Sequence, residues 1–173
     1  GGSGTGNDIL TGGAGADIIT GGAQVDTITG GGEVDTIAGG AGNDIITAGA
    51  GNDIITVDVG TDTGLDLGGA GSGGESDVVI VAAGATLNAT GVISFTATSA
   101  TKNNSTDASN ATLTAANGGN RTISVAAATG SSKAFTLTGG NGNDTLTGGA
   151  GTDIITGSAG NDIITGGAGN DII

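Results

Sequence analysis

Short triplets of aliphatic and β-branched residues recur along the chain, separated by glycine-rich hexapeptides. Ile18-Ile19-Thr20, Thr27-Ile28-Thr29 and Ile45-Ile46-Thr47 are typical. β-Branched triplets favour extended backbone, whereas glycine clusters allow positive φ and tight turns. Each nonapeptide unit is therefore one turn and one short strand. Alternation along a strand sends the middle residue of a triplet inward and its two neighbours outward. The predicted inward ladder is Leu10, Ile19, Ile28, Ile37, Ile46 and Ile55, resuming with Leu146, Ile155, Ile164 and Ile173. A core this thin and wholly aliphatic does not by itself offset the entropy of ordering so long a backbone.

Aspartate marks the same place in every unit. It falls at Asp8, Asp17, Asp26, Asp35, Asp44, Asp53 and Asp62, one per nonapeptide, and the spacing returns at Asp144, Asp153, Asp162 and Asp171. If two units close one coil, loops on one edge recur at every second unit. Asp8, Asp26, Asp44 and Asp62 then stack on one side, and Asp17, Asp35 and Asp53 on the other. Carboxylates about 5 Å apart repel strongly unless a cation lies between them. A donor set of carboxylate plus turn carbonyls suits calcium, which takes 6–8 oxygen ligands in flexible geometry.

Charge sharpens this picture. The net charge is −14, with twelve acids and no base over residues 1–80 and four acids and no base over 139–173. Lys102, Arg121 and Lys133 all fall between, with Asp107. Such acidity repels nucleic acid and anionic membranes, and no apolar run is long enough to span a bilayer. The 173 residues include 40 glycines and two aromatics, Phe95 and Phe135, with no His, Cys, Pro, Met, Trp or Tyr. A Ser-His-Asp triad, a thiol nucleophile, an ordinary zinc site and a disulfide frame are all excluded by that list. We expect no enzyme.

The units GGAGADIIT, GGAGNDIIT, GGNGNDTLT and GGAGTDIIT carry the Gly-Gly-x-Gly-x-Asp-x-U-x signature, with U a large aliphatic. In these motifs the chain resembles the RTX (repeats-in-toxin) calcium-binding nonapeptide family, over about ten units. The resemblance implies an all-β fold, a parallel β-roll or β-solenoid in which two units form each coil. It also implies calcium ions, each held between one loop and the loop a full coil later. About seven positions follow: Asp8 with Asp26, Asp26 with Asp44, Asp44 with Asp62, Asp17 with Asp35, Asp35 with Asp53, Asp144 with Asp162, and Asp153 with Asp171.

Departures from the repeat are informative. Gln24 and Glu33 replace the fourth-position glycine, with Val25 and Val34 after them, so distorted turns are expected there, with Glu33 a candidate extra ligand. Gly64 stands at an inward position, where the first block decays. SGGESDVVI (72–80) reads as a degenerate last unit, with Asp77 and Glu75 as candidate ligands. The organisation is a β-roll block over 1–80, a Thr/Ser/Ala/Asn-rich stretch over 81–138 and a second block over 139–173. Strands are predicted in the middle stretch at Val92–Thr96, Ala111–Ala115, Arg121–Ala126 and Lys133–Leu137, with a turn at Asn117-Gly118-Gly119. A β insertion and irregular, wider solenoid coils free of calcium both fit it. Gly69, Gly71 and Gly74 have a G-x-G-x-x-G spacing without the strand–turn–helix context a dinucleotide site needs. The glycosylation-like triplets at Asn88, Asn104, Asn110 and Asn120 are the accidents of a Ser/Thr/Asn-rich stretch.

By resemblance, such chains are secreted through a type I channel and fold on extracellular calcium. Metal binding of this kind supplies folding free energy. In its abundance of Ala, Thr, Gly, Ser and Asn with few Lys and aromatics the chain resembles RTX surface-layer proteins, which implies a place at the cell surface and self-association into a lattice or with the rest of a longer chain. Cell-surface polysaccharide is a further candidate partner. An RTX adhesin module, and the repeat domain of an exported toxin or hydrolase, are the alternatives.

Overall fold

The computed structural model describes residues 6–64, 67, 77–82, 85–92, 94–97, 101–104, 111–115, 118–130 and 134–173. Glu75, Asp107, Lys133, Asn110, Asn117 and the Gly69/Gly71/Gly74 spacing lie outside them. Most nonapeptide triplets open a strand. The first block supplies β1 (Ile9–Ala14), β2 (Ile18–Ala23), β3 (Thr27–Gly32), β4 (Thr36–Ala41), β5 (Ile45–Ala50), β6 (Ile54–Val57) and β7 (Thr61–Gly64). Then come β8 (Val78–Val81), β9 (Thr86–Val92), β10 (Ser94–Thr96), β11 (Lys102–Asn103), β12 (Ala111–Ala115) and β13 (Thr122–Ser124). The middle stretch closes with β14 (Thr136–Thr138), and the last block holds β15 (Thr145–Thr147), β16 (Ile154–Thr156) and β17 (Ile163–Thr165).

All pairings among these strands are parallel, and they join strands from successive coils, as a coiling chain requires. One long sheet runs β1-β3-β5-β7-β9-β12-β14-β16; a second runs β2-β4-β6-β8-β11; a third runs β10-β13-β15-β17. In the first block, Ile9 faces Thr27 and Ile18 faces Thr36, a step of two nonapeptides per coil. The fold is the parallel β-roll that the repeat implies.

The long sheet is continuous through the stretch between the blocks. Thr61 faces Thr86, Leu87 faces Ala111 and Thr112 faces Thr136, so each coil there is longer than two nonapeptides. In one of these coils the extra length carries a third strand: β9, β10 and β11 belong to three different sheets. Here the second sheet ends and the third begins. Beyond this handover the chain returns to two-sided coils of two nonapeptides, with Thr136 facing Ile154. Of the two readings open for this stretch, the structure adopts wider coils stacked in the same solenoid.

Packing follows the alternation. Ile19, Ile28, Ile37, Ile46, Ile55, Leu146 and Ile155 are buried, and Leu10 and Ile164 pack partly against them. Ile173 departs from the predicted ladder: it lies on an outer coil and is 71% exposed. The middle coils extend the core with Val79, Leu87, Leu113, Ile123, Leu137 and both phenylalanines. Leu67 is also fully buried, just beyond the small Gly64.

Stacked turns demand glycine where backbone meets backbone. A Cβ on Gly31, at φ +126°, would fall on the carbonyl oxygen of Gly13 one coil away. Gln24 and Glu33 keep the turn rather than distorting it, at φ 80° and 72°. Their side chains stay exposed, so Glu33 is at the turn surface. Left-handed backbone costs a non-glycine residue roughly 1–2 kcal/mol. Gln24→Gly and Glu33→Gly are therefore each expected to stabilise the calcium-loaded chain by about 0.5–1 kcal/mol, after the entropy that glycine adds to the unfolded state. Thermal melts of the two variants check this; lower melting temperatures in both would show that the side chains hold the turn.

Candidate metal centre

The strand alternation that buries isoleucine also buries aspartate, two residues earlier on the same face. Asp26, Asp35, Asp44, Asp53, Asp62 and Asp153 are fully buried, Asp77 and Asp144 nearly so. Asp8, Asp17, Asp162 and Asp171, on the outer coils, are partly buried. The aspartates stand in columns, one carboxylate per coil. Asp8, Asp26 and Asp44 precede strands of the long sheet and Asp62 lies within one, whereas Asp17, Asp35, Asp53 and Asp77 precede strands of the second. Asp144 and Asp162 lead into the third sheet. Asp153 precedes β16, and Asp171 lies beside Ile172, which bridges to Ile154 of the long sheet.

One carboxylate oxygen holds the column together. Asp8 N–H donates to Asp26 Oδ1 at 2.8 Å, Asp26 N–H to Asp44 Oδ1 at 2.8 Å and Asp44 N–H to Asp62 Oδ1 at 3.1 Å. Across the roll, Asp17 N–H donates to Asp35 Oδ1 at 2.9 Å, Asp35 N–H to Asp53 Oδ1 at 2.8 Å and Asp53 N–H to Asp77 Oδ1 at 2.9 Å. The second block repeats the link from Asp144 to Asp162 and from Asp153 to Asp171, at 2.9 and 3.0 Å. All seven aspartate pairs expected from the spacing are thus neighbours, and Asp77 joins its column across a longer coil.

The other oxygen is the chemically telling one. In Asp17, Asp26, Asp35, Asp44 and Asp62 the Oδ2 atom is buried without a hydrogen-bond partner. A buried, unsatisfied carboxylate oxygen costs several kcal/mol. These oxygens face a cradle that only glycine leaves open: a Cβ on Gly12 would lie 2.6 Å from both Asp17 Oδ2 and the Gly30 carbonyl oxygen of the next coil. Gly21 and Gly30 stand the same way toward Asp26 with Gly39 and toward Asp35 with Ala48. Among the described residues no three acidic side chains converge on one point. The donors on offer are therefore carboxylate oxygens and turn carbonyls. That set fits a hard cation of calcium's size and flexibility.

Electrostatics point the same way. Burial pushes the Asp62 carboxyl up to about 6, with the Asp44 and Asp58 charges adding and the Asp44 and Asp58 amides opposing. Asp44 is likewise raised, by burial first, and against the amide of Asp26 by the charges of Asp26 and Asp58. Asp153 is raised by burial and by Asp171, against amide hydrogen bonds from Gly149 and Phe135. A carboxylate held this way takes up either a proton or a cation. The second block is the better satisfied of the two: Gly140 N–H reaches Asp144 Oδ2 at 2.9 Å, and Gly149 N–H reaches Asp153 Oδ2 at 2.7 Å.

A parallel β-roll with stacked carboxylates over glycine turns defines a class of calcium-binding solenoid. The chain matches the family model for the RTX calcium-binding nonapeptide repeat (4 copies) over residues 3–37, 29–63 and 136–173, more than half of its length. It belongs to that family, and its repeats bind calcium. No curated protein and no solved structure matches the chain.

Two features escape a reading of the sequence. The repeat suggests aspartates along an edge of the roll, yet they point into it; counting the period of two backward from isoleucine would show this. An asparagine line runs beside them. Asn43 Oδ1 accepts from Thr61 N–H at 2.9 Å, Asn120 Oδ1 from Asn143 N–H at 3.0 Å and Asn143 Oδ1 from Asn161 N–H at 2.8 Å. Its signal is the asparagine that precedes aspartate in so many units.

Proposed function

We propose that this chain is the calcium-gated structural segment of a secreted bacterial surface-layer protein, and that it is not an enzyme. Carboxylate columns that are costly without cations, and rigid with them, make folding wait for extracellular calcium. RTX repeat proteins are generally secreted from bacteria, and export through a type I channel before folding suits such a chain. About seven ions, one per stacked aspartate pair, are expected in the filled roll.

The observation that carries the lattice reading is the outer surface. The column aspartates turn inward or sit beneath the turns, which leaves the two broad strand faces of the first block uncharged. Ile9 and Ile18 are 85% and 87% exposed, and Ile45 and Ile54 stand on the same two faces beside Thr27 and Thr36. Uncharged sheet faces can pack on one another in a molecule whose net charge of −14 would otherwise keep copies apart. The occupant is a second copy of the chain.

The test is a calcium titration followed by far-UV circular dichroism and light scattering together. Folding into ordered sheets or filaments is expected. Replacing both Ile18 and Ile54 by Lys should leave the folding midpoint within about twofold, since exposed positions rarely exceed about 0.5 kcal/mol, while assembly stops. Folding without particle growth in the unaltered chain would favour an adhesin module or the repeat domain of an exported toxin or hydrolase.

A further inference from the structure

The buried column of the long sheet does not end with the first block. Its register reads Asp8, Asp26, Asp44 and Asp62, then Leu87, which faces Asp62, and Ala111, which faces Leu87. Phe135, one residue before the Thr136 that pairs with Thr112, comes next. Its N–H then donates to Asp153 Oδ1 at 2.7 Å, and the column returns to carboxylate. Leu87, Ala111 and Phe135 are 1%, 0% and 2% exposed. One line of side chains thus runs through the roll, ionic at both ends and apolar in the middle.

The change alters what each coil needs. A first-block coil with a buried aspartate needs a cation to meet the unsatisfied oxygen, and a second-block coil still carries stacked, desolvated carboxylate charge, whereas one carrying Leu87 or Phe135 gains by burial alone. Among the described residues between Asp77 and Asp144 none is acidic, and Lys102 and Arg121 are basic. Both aromatics, Phe95 and Phe135, are buried here, together with Val79, Val81, Leu113, Ile123 and Val125. The coil of β9, β10 and β11 also carries three strands instead of two.

We propose that the middle coils, residues 78–138, fold without calcium and act as the template on which the two calcium-dependent blocks wind. This rests on the reading of the flanking blocks as calcium-gated. In a solenoid each coil gains stability from its neighbours, so a folded segment spares the blocks the cost of starting alone. Winding begins at the junctions, where β7 pairs with β9, β6 with β8, β15 with β13 and β16 with β14, and proceeds outward in both directions.

Amide hydrogen exchange read by mass spectrometry on the full chain tests this, first in EGTA and then at stepped calcium. In EGTA, amides of 78–92, 111–115 and 122–129 are expected to exchange at least tenfold more slowly than those of 18–41 and 154–165. At half-saturating calcium, protection should reach 45–64 and 145–156 before 9–23 and 163–165. Uniform exchange in EGTA, fast or slow, overturns the proposal, as does protection that starts at the outer coils. Circular dichroism of the same samples separates the two ideas: a calcium response with uniform exchange in EGTA leaves the gated blocks standing and removes only the template. Leu87→Asp extends the carboxylate column into the middle coils. It should abolish their calcium-free protection, and full protection in that variant would likewise sink the proposal.

Discussion

Asp44→Asn is expected to raise the calcium midpoint of folding at least about ten- to hundredfold, the range for losing even an outer-shell partner of a bound metal, without destabilising the calcium-free chain. Asp44 stacks between Asp26 and Asp62 and is fully buried. Its Oδ1 accepts the Asp26 amide, a role the asparagine carbonyl oxygen can keep, while its Oδ2 lacks any partner. The substitution therefore preserves the column's hydrogen bond and deletes only the charge. Without calcium that deletion relieves desolvation and repulsion; with calcium it removes an oxygen anion from two expected ion positions. Circular dichroism at stepped calcium reads both arms. An unchanged midpoint would mean that the columns are not where the cation acts.

The second large effect belongs to a glycine. Gly30→Ala would press its Cβ onto Asp35 Oδ2 and the Ala48 carbonyl oxygen, closer than real atoms approach. Overpacking of a rigid site costs about 1–3 kcal/mol, and here the added methyl also occupies the space toward which the carboxylate and carbonyl converge. A lower melting temperature and a calcium midpoint raised at least tenfold are expected together. Gly32→Ala is the control: nothing lies within 4 Å of its Cβ and its φ is not in the left-handed region, so that variant should match the unaltered chain. Equal behaviour of the two variants would show that the cradle is not part of the site.

These predictions trace back to unequal parts of the reading. The fold class and the aspartate pairs were legible because the repeat is local: each nonapeptide makes one turn and one strand, and identical units can stack only in register. Ile28 between Thr27 and Thr29 needs no knowledge of the rest of the chain to be placed inward. Gln24 and Glu33 were harder, since whether a turn yields or a side chain accepts left-handed backbone depends on the coils stacked on either side. There the stacking prevailed: Asp26 and Asp35 keep their places in the columns.

The sequence by itself determined the period, the strands, most of the inward aliphatic ladder and the partnership of each aspartate with the one two units on. Each of those follows from chemistry repeated at fixed spacing. Tertiary structure alone decided how far the carboxylates are buried, which of their oxygens is left without a partner, and what becomes of the column between the blocks. Leu87, Ala111 and Phe135 occupy one line only because the longer middle coils, with no repeat to mark their phase, align through packing across the sheet. Local pattern sets a register when every coil has the same length; once the lengths differ, only the contacts between coils can set it.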